Sequence, residues 1–328
     1  MQPPASLVVV TQNRGMREIL DRVRTIAASD TSVLLVGETG VGKELFADYI
    51  HRTSARHARP FVKISLSAMP HDLLESELFG HERGAFTNAI ADKRGLFEIA
   101  HTGTFFLDDI DDVAPQVQVK LLRVLEMGQV MRVGGSEPIP VDVRLITASK
   151  LDLEQLVARN MFRADLFYRI NVCPVVIPPL RDRRDDIALL AAHFLQRFAP
   201  QKNLRLTDDA RAALEHYDWP GNVRELRNVM QRLALFVEGD IHATDLPTEI
   251  GGTAHVERLV KACGRCIVDG RMSYADVVAC LETNLLRQAI ADAHGNRSHA
   301  ARALGLSLST LRDKLRKFGL EDLAPHDE

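Results

Sequence analysis

The residues best suited to chemistry lie in one run, V-L-L-V-G-E-T-G-V-G-K-E, from Val33 to Glu44. Gly37, Gly40 and Gly42 can turn successive backbone N–H groups toward one anionic guest, with Glu38, Thr39 and Val41 completing the loop. Lys43 opens a helix, so the positive end of the helix dipole and an ammonium both face that guest. A strand, a glycine-rich turn and a lysine in this order predict a phosphate-binding loop for a nucleoside triphosphate, ATP being the expected ligand. Glu44 stands where Ser or Thr usually ligates magnesium, so Mg2+ must be held mainly elsewhere.

A second candidate is G-T-F-F-L-D-D-I-D-D-V, starting at Gly103. An apolar strand delivers Asp108 and Asp109 at its carboxyl end, where ligands sit in open parallel sheets. Asp108 can hold magnesium through water, and Asp109 can orient or activate an attacking water. The competing reading is a negatively charged helix start, since Asp111 and Asp112 follow. Arg163 and Arg169 lie six apart in F-R-A-D-L-F-Y-R-I; spacing alone favours solvated surface charges for them. The segment G-H-E-R-G-A-F-T-N-A-I, residues 80–90, suits neither a strand nor a core helix and reads as a loop carrying Phe86.

Near the far end, between residues 294 and 318, Arg297, Arg302, Arg312, Lys314, Arg316 and Lys317 face only Asp313, and six minus one leaves a charge of +5. Two short helices joined through Gly305 give a helix-turn-helix layout that fits double-stranded DNA. Ser309, Thr310 and Arg312 at the start of the last helix would reach base edges. Lys314, Arg316 and Lys317 would meet phosphates, with Arg297 adding to the basic face.

The elements that must position these groups follow from periodicity. Leu7 to Val10, Val33 to Val36, Phe61 to Ser65, Gly103 to Asp108, Val143 to Ser149 and Pro174 to Pro179 read as strands or strand-and-turn. Gln129 to Val141, with Gly134-Gly135, reads as a hairpin. Helices are predicted over residues 16–26, after Lys43, and over 73–79, 120–125, 186–198, 208–216 and 223–237. Strands alternate with helices to about residue 180 and helices alone follow, which predicts an α/β P-loop subdomain (1–180) and a helical lid (181–245). The Pro- and Gly-rich start of 246–272 reads as a linker, and 273–328 as the DNA-binding domain.

Composition agrees. The chain has 328 residues, 46% apolar and 26% charged, with a net charge of −3, so any polyanion contact must be local. No apolar run is long enough to span a bilayer, and no signal peptide is evident. Cys173, Cys263, Cys266 and Cys280 are too few for a disulfide framework and fit a reducing cytoplasm; Cys263-Gly-Arg-Cys266 lacks a second metal-binding pair.

Taken together, the chain resembles the sigma-54-dependent AAA+ transcription activators, or bacterial enhancer-binding proteins. The matching segments, in order, are G-E-T-G-V-G-K-E (37–44), E-S-E-L-F-G-H-E-R-G-A-F-T-N-A (75–89), G-T-F-F-L-D-D-I (103–110), F-R-A-D-L-F-Y-R-I-N-V (162–172), W-P-G-N-V-R-E-L (219–226) and a Fis-type helix-turn-helix (294–318). The second is close to private to that family. The resemblance implies ATP hydrolysis in a ring, expected to be a hexamer, that remodels sigma-54 RNA polymerase from an upstream DNA site. It implies that Arg163 and Arg169 are fingers reaching a neighbouring subunit, and that Arg224 is a lid sensor. It also implies that Gly84, Ala85, Phe86, Thr87, Asn88 and Ala89 grip sigma-54, and that Ser65 and Ser149 are sensors. The AAA+ region begins almost at residue 1, which implies control in trans by a regulatory protein.

Five residues depart from the family pattern. Asn88 replaces a glycine of the family motif, a substitution that a left-handed backbone tolerates. Asp109 replaces Glu, which brings the carboxyl about 1.5 Å nearer the backbone, and Ser65 replaces the Asn that pairs with it; a shorter acid meets a shorter partner. Ser149 and Lys150 replace Thr-Asn. These changes imply an ATPase altered in speed or regulation, and they motivate a rival reading in which ATP is only an assembly switch.

Overall fold

The computed structural model describes residues 9–86, 89–251, 273–293 and 295–320. It divides into two compact units, one ending at Leu246 and one beginning at Pro247. The first is built on five parallel strands: β1 (Val33–Val36), β2 (Phe61–Ser65), β3 (Thr104–Asp108), β4 (Arg144–Ser149) and β5 (Cys173–Val176). Their order across the sheet is β2-β3-β4-β1-β5. The chain leaves β1 for the far edge at β2 and leaves β4 for the opposite edge at β5. The direction of winding therefore reverses beside β1, where open α/β sheets bind ligands.

Side chains alternate across each strand, so both faces of the sheet are buried. Phe105 and Leu107 enter one core with Leu34, Ile64 and Leu145. Phe106 enters the other with Val33, Leu35, Ile146, Ala148 and Val175. Helices Arg14–Ala27 and Lys43–Arg52 cover the second face, and Met16, Leu20, Val23, Phe46 and Ile50 are their buried positions. Helix Pro115–Met127 covers the first; it has Pro in its first turn and ends at Gly128 in the left-handed region, φ 63°.

The lid comprises helices Asp185–Phe198, Asp208–His216 and Asn222–Phe236. Trp219 anchors it. The residue is fully buried, its Nε1–H donates to the Leu214 carbonyl at 2.8 Å, and its ring meets Tyr217 edge-on at 5.1 Å. Trp219→Ala should destabilise the lid by about 3–5 kcal/mol, through lost burial, a cavity and an unmet carbonyl; chemical denaturation would measure it.

In three places the structure differs from the expected elements. Of the strand expected over Leu7 to Val10, Leu7 and Val8 lie outside the described residues and Val9 and Val10 form no strand; the residues that follow are held by side chains, the Gln12 and Asn13 amides and the Thr11 hydroxyl all donating to Asp186. Residues 80–90 are not loop throughout, since Gly80–His81 pairs antiparallel with Lys93–Arg94. The lid is not purely helical, since Arg205–Leu206 pairs in parallel with Asp240–Ile241. Both ladders are two residues long, too short to leave a period-2 pattern. Hairpin Gln129–Val130 with Ile139–Pro140 forms as expected.

The second unit contains helices Tyr274–Asp292, Arg297–Ala303 and Leu308–Lys317 around Leu286, Ile290, Ala300, Leu311 and Leu315. Asn296 and Ser307 cap the last two helices by accepting the His299 and Thr310 amides. Gly305 turns between them at φ 65°. Of the linker span, residues 248–251 form a short helical turn. Cys263 and Cys266 lie outside the described residues, whereas Cys173 and Cys280 are free thiols.

Candidate nucleotide site and its satellites

The phosphate loop follows β1 and is held on three sides. The Gly37 amide donates to the Ser149 carbonyl at 3.2 Å, tying the loop to β4. Val41 drops its side chain into the core, and its carbonyl accepts from Arg183. Asn222 donates to the Thr39 carbonyl at 3.0 Å and to Glu38 at 3.1 Å. Gly42 lies at φ 108° with open space where a Cβ would be, so the backbone presents a concave face. Gly40, at φ 82°, is closed by the lid: a Cβ there would meet the Gly221 carbonyl at 2.4 Å.

Lys43 is only 8% exposed and donates to the Gly37 and Glu38 carbonyls at 2.7 and 3.3 Å. Burial lowers its pKa; the charges of Asp108, Asp109 and Asp111 oppose that shift and Arg224 adds to it. The ammonium thus lies within the electrostatic reach of three acids and the lid arginine. Arg224 also docks by its own amide to the Gly40 carbonyl at 3.2 Å. A buried cation whose ring of acceptors is backbone carbonyl, facing a concave run of glycines, fits a polyphosphate.

Asp108 ends β3. Burial first, and Asp109 second, raise its pKa, and its Oδ1 accepts the Asp109 amide at 3.0 Å. Among the described residues no three His, Cys, Asp or Glu groups gather as a metal cage. Glu44 is directed away from that role: it ion-pairs with Lys63 at 3.1 Å.

Asp109 has a left-handed backbone, φ 56° and ψ 45°, and turns its Oδ2 to two hydroxyls, Ser65 at 3.1 Å and Ser67 at 2.5 Å. The pairing of short acid with short partner is present, and Ser67 adds a second donor that sequence reasoning missed. Ser149 is fully buried and shares its single O–H between Asp111 Oδ1 at 3.0 Å and the Leu151 carbonyl at 2.6 Å, so its hydroxyl is spent within the protein.

The sequence also gave no hint of the latch between loop and lid. Arg181 donates twice to Glu38, at 2.8 and 2.5 Å. Arg181 lies in a run of six charged residues, Arg181 to Asp186, with no local signature; Asn222, by contrast, sits inside the W-P-G-N-V-R-E-L motif and could have been singled out. Hydrogen bonds from Arg181 first, then Asn222, pull the Glu38 carboxyl from 4.5 to about 2. Because the folded pKa is the lower one, the latch contributes fully above pH 4.5 and its contribution is lost as pH falls toward about 2. Acid unfolding should therefore begin at higher pH in Arg181→Leu than in the parent, as followed by circular dichroism.

Arg163 and Arg169 are not brought to this site. Arg163 holds Asp165 bidentately at 3.0 and 2.7 Å, and Arg169 donates to the Leu125 carbonyl at 2.7 Å. Arg169 lines a hollow with Asp30, Ser32 and Asp142, which precede β1 and β4. It therefore stands at the amino ends of the strands, across the sheet from the phosphate loop.

The loop with Phe86 stands on a braced stem. His81 bridges Val133, the Glu82 amide donates to the Val133 carbonyl at 3.0 Å, and Val133 returns a bond to Gly80 at 2.9 Å. Gly134 approaches Ala85 so closely that a Cβ would sit 2.7 Å from that residue's Cβ. The Gly84 amide closes the tip onto the Ala89 carbonyl at 2.9 Å. Phe86 is 40% exposed and packs edge-on against His81; Ile90, 86% exposed, was not singled out from sequence. Thr87 and Asn88 lie outside the described residues.

In the second unit, Ser309, Thr310 and Arg312 are exposed on the first turns of the last helix, and Lys317 is exposed at its end. Ser309 and Thr310 hydroxyls bond to Ser307. Lys314 ion-pairs with Glu282 of helix Tyr274–Asp292, so its charge is already partnered. Arg297 opens the preceding helix.

Residues 9–176 match the family described as Sigma-54 interaction domain, residues 181–261 the AAA+ ATPase lid domain, and residues 278–318 the Fis family of bacterial regulatory proteins. The chain is 43% identical over 317 residues to the phenol regulator MopR of Acinetobacter guillouiae, covering 95% of this chain and 56% of MopR. It is 41% identical over 317 residues to the regulatory protein AtoC of Escherichia coli, covering 95% of this chain and 68% of AtoC. The crystal structure of NtrX from Brucella abortus in complex with ADP superposes with a TM-score of 0.72 at 33% identity, covering 95% of this chain and 70% of NtrX. No helix among the described residues is long and apolar enough to cross a membrane. By the extent and order of these matches, the chain belongs to the sigma-54-dependent AAA+ transcription activators with a Fis-type DNA-binding region.

Proposed function

We propose that this protein hydrolyses ATP in a ring of its own copies, with Mg2+, and uses the force to remodel sigma-54 RNA polymerase from a site on double-stranded DNA. The observation that carries this reading is the division of labour across the sheet. Lys43, Asp108, Asp109 and Arg224 converge at the carboxyl ends of the strands, while Arg169 stands at their amino ends. A subunit built this way holds a nucleotide beside Arg224 but directs neither Arg163 nor Arg169 to it. The missing cation is best supplied by a neighbour, where it stabilises transition-state charge only once the ring assembles.

Each residue then has a task. Lys43 and the loop amides bind phosphate oxygens; Asp108 would hold the divalent cation, which neutralises phosphate charge. Asp109 exchanges a serine hydroxyl for the attacking water, and Arg224 with Asn222 ties lid position to loop occupancy. Gly84, Ala85, Phe86, Thr87, Asn88 and Ala89 form the sigma-54 contact; Ser309, Thr310 and Arg312 read bases, and Arg297, Arg316 and Lys317 hold phosphates, with Lys314 joining them on release from Glu282. The site residues Ser65 and Ser149 act indirectly, through Asp109 and Asp111.

The clamp of two serines on Asp109 favours the second reading, in which ATP binding switches assembly and turnover is negligible. In vitro transcription with sigma-54 polymerase decides between them: open complexes should form with ATP and not with a non-hydrolysable analogue. Equal activity with both nucleotides would leave the switch as the function.

A further inference from the structure

Asp111 has no assigned task, yet its side chain is completely buried. One oxygen is fully used: Oδ1 accepts the Ser149 hydroxyl at 3.0 Å and the Lys150 amide at 3.2 Å. The other, Oδ2, has no hydrogen-bond partner, and the nearest cation, Lys150 Nζ, stands 3.7 Å away and bonds Asp112 at 2.6 Å instead. A buried carboxylate with an unmet oxygen is costly, so its retention calls for a use.

Its neighbours supply one. Asp111 sits in the 3-10 turn Ile110–Asp112, which is entered from Asp109 in its left-handed conformation. Its acceptor oxygen grips residues 149 and 150 at the end of β4, and the carbonyl of Ser149 receives the Gly37 amide that starts the phosphate loop. Hydrogen bonds connect Gly37 to Ser149 and Ser149 to Asp111, and the backbone of the turn carries the connection on to Asp109. Two residues that directly follow different strands are thereby held together, Gly37 at the start of the nucleotide cradle and Asp109 at the acid turn.

We propose that Asp111 is a positioning residue that locks the acid turn to the phosphate loop through Ser149 and Lys150. The consequence for turnover rests on the ATPase reading above; the consequence for loop order does not. Asp111→Ala should lower kcat by about 10- to 100-fold while KM for ATP stays within about twofold, because misplacement near the reacting atoms acts on the chemical step. Asp111→Asn keeps an acceptor at Oδ1 and should stay within about threefold of the parent. In hydrogen–deuterium exchange on the full chain, peptides spanning 33–42 should exchange at least about threefold faster in Asp111→Ala. Ser149→Ala, which removes only the hydroxyl donor, should show a smaller change of the same sign and serves if Asp111→Ala does not fold. Unchanged exchange over 33–42 in the folded variants would overturn the proposal, as would equal losses of kcat in Asp111→Asn and Asp111→Ala. A parent chain without turnover would refute the ATPase reading, and the exchange measurement would still decide the role of Asp111.

Discussion

Lys43→Ala should reduce ATP turnover by about 10³-fold or more, the largest effect of any single substitution in this chain. The ammonium is buried against the Gly37 and Glu38 carbonyls, and three acidic side chains act on it electrostatically. Removing it leaves Asp108 and Asp109 facing each other's charge and the incoming phosphates without compensation, in a site where burial already raises the Asp108 pKa. Loss of a preorganised charge in such a site costs about 10²–10³-fold even for a neutral donor, and more for a cation. Equilibrium binding of a fluorescent nucleotide, measured beside turnover, separates lost affinity from lost chemistry. Full turnover in this variant would remove the loop from the catalytic account.

Phe86→Ala should do the opposite. Nucleotide turnover should stay within about threefold of the parent, while sigma-54-dependent open-complex formation falls by more than about 10²-fold. The aromatic ring is 40% exposed, packs edge-on against His81 and belongs to none of the buried clusters, so its removal disturbs no core. The stem beneath it, fixed by Val133 and Gly134, does not depend on that ring. Exposed aromatics on braced loops are partner contacts more often than packing. Parallel assays of turnover and open-complex formation on one preparation check the separation, and retained transcription would show that another part of the loop, Ile90 above all, carries the contact.

What could be read in the residues beforehand has a physical boundary. Long apolar periods gave the sheet strands and the lid helices, because side-chain period and burial are the same information. The phosphate loop was legible since glycine and lysine spacing reports local backbone chemistry. The two-residue ladders under Phe86 and in the lid left no period to detect. The roles of Ser67, Asp111 and Arg181 were invisible for another reason: each depends on a partner between about 38 and 143 residues away along the chain. Arg163 and Arg169 were ambiguous on spacing alone, and within one chain they remain tied to Asp165 and Leu125, as surface charges often are.

The contact between Gly40 and Gly221 has a mechanical consequence. No side chain cushions the approach of loop to lid there; backbone meets backbone, and helix Asn222–Phe236 starts at the next residue. That helix has 15 residues and is about 22 Å long at about 1.5 Å per residue. Pivoted at its loop end, it works as a lever: a tilt of about 10° carries the far end about 4 Å. The far end bears Leu235 and Phe236, 67% and 81% exposed. A small tilt at the loop contact would thus become a displacement the size of a side chain at an apolar tip.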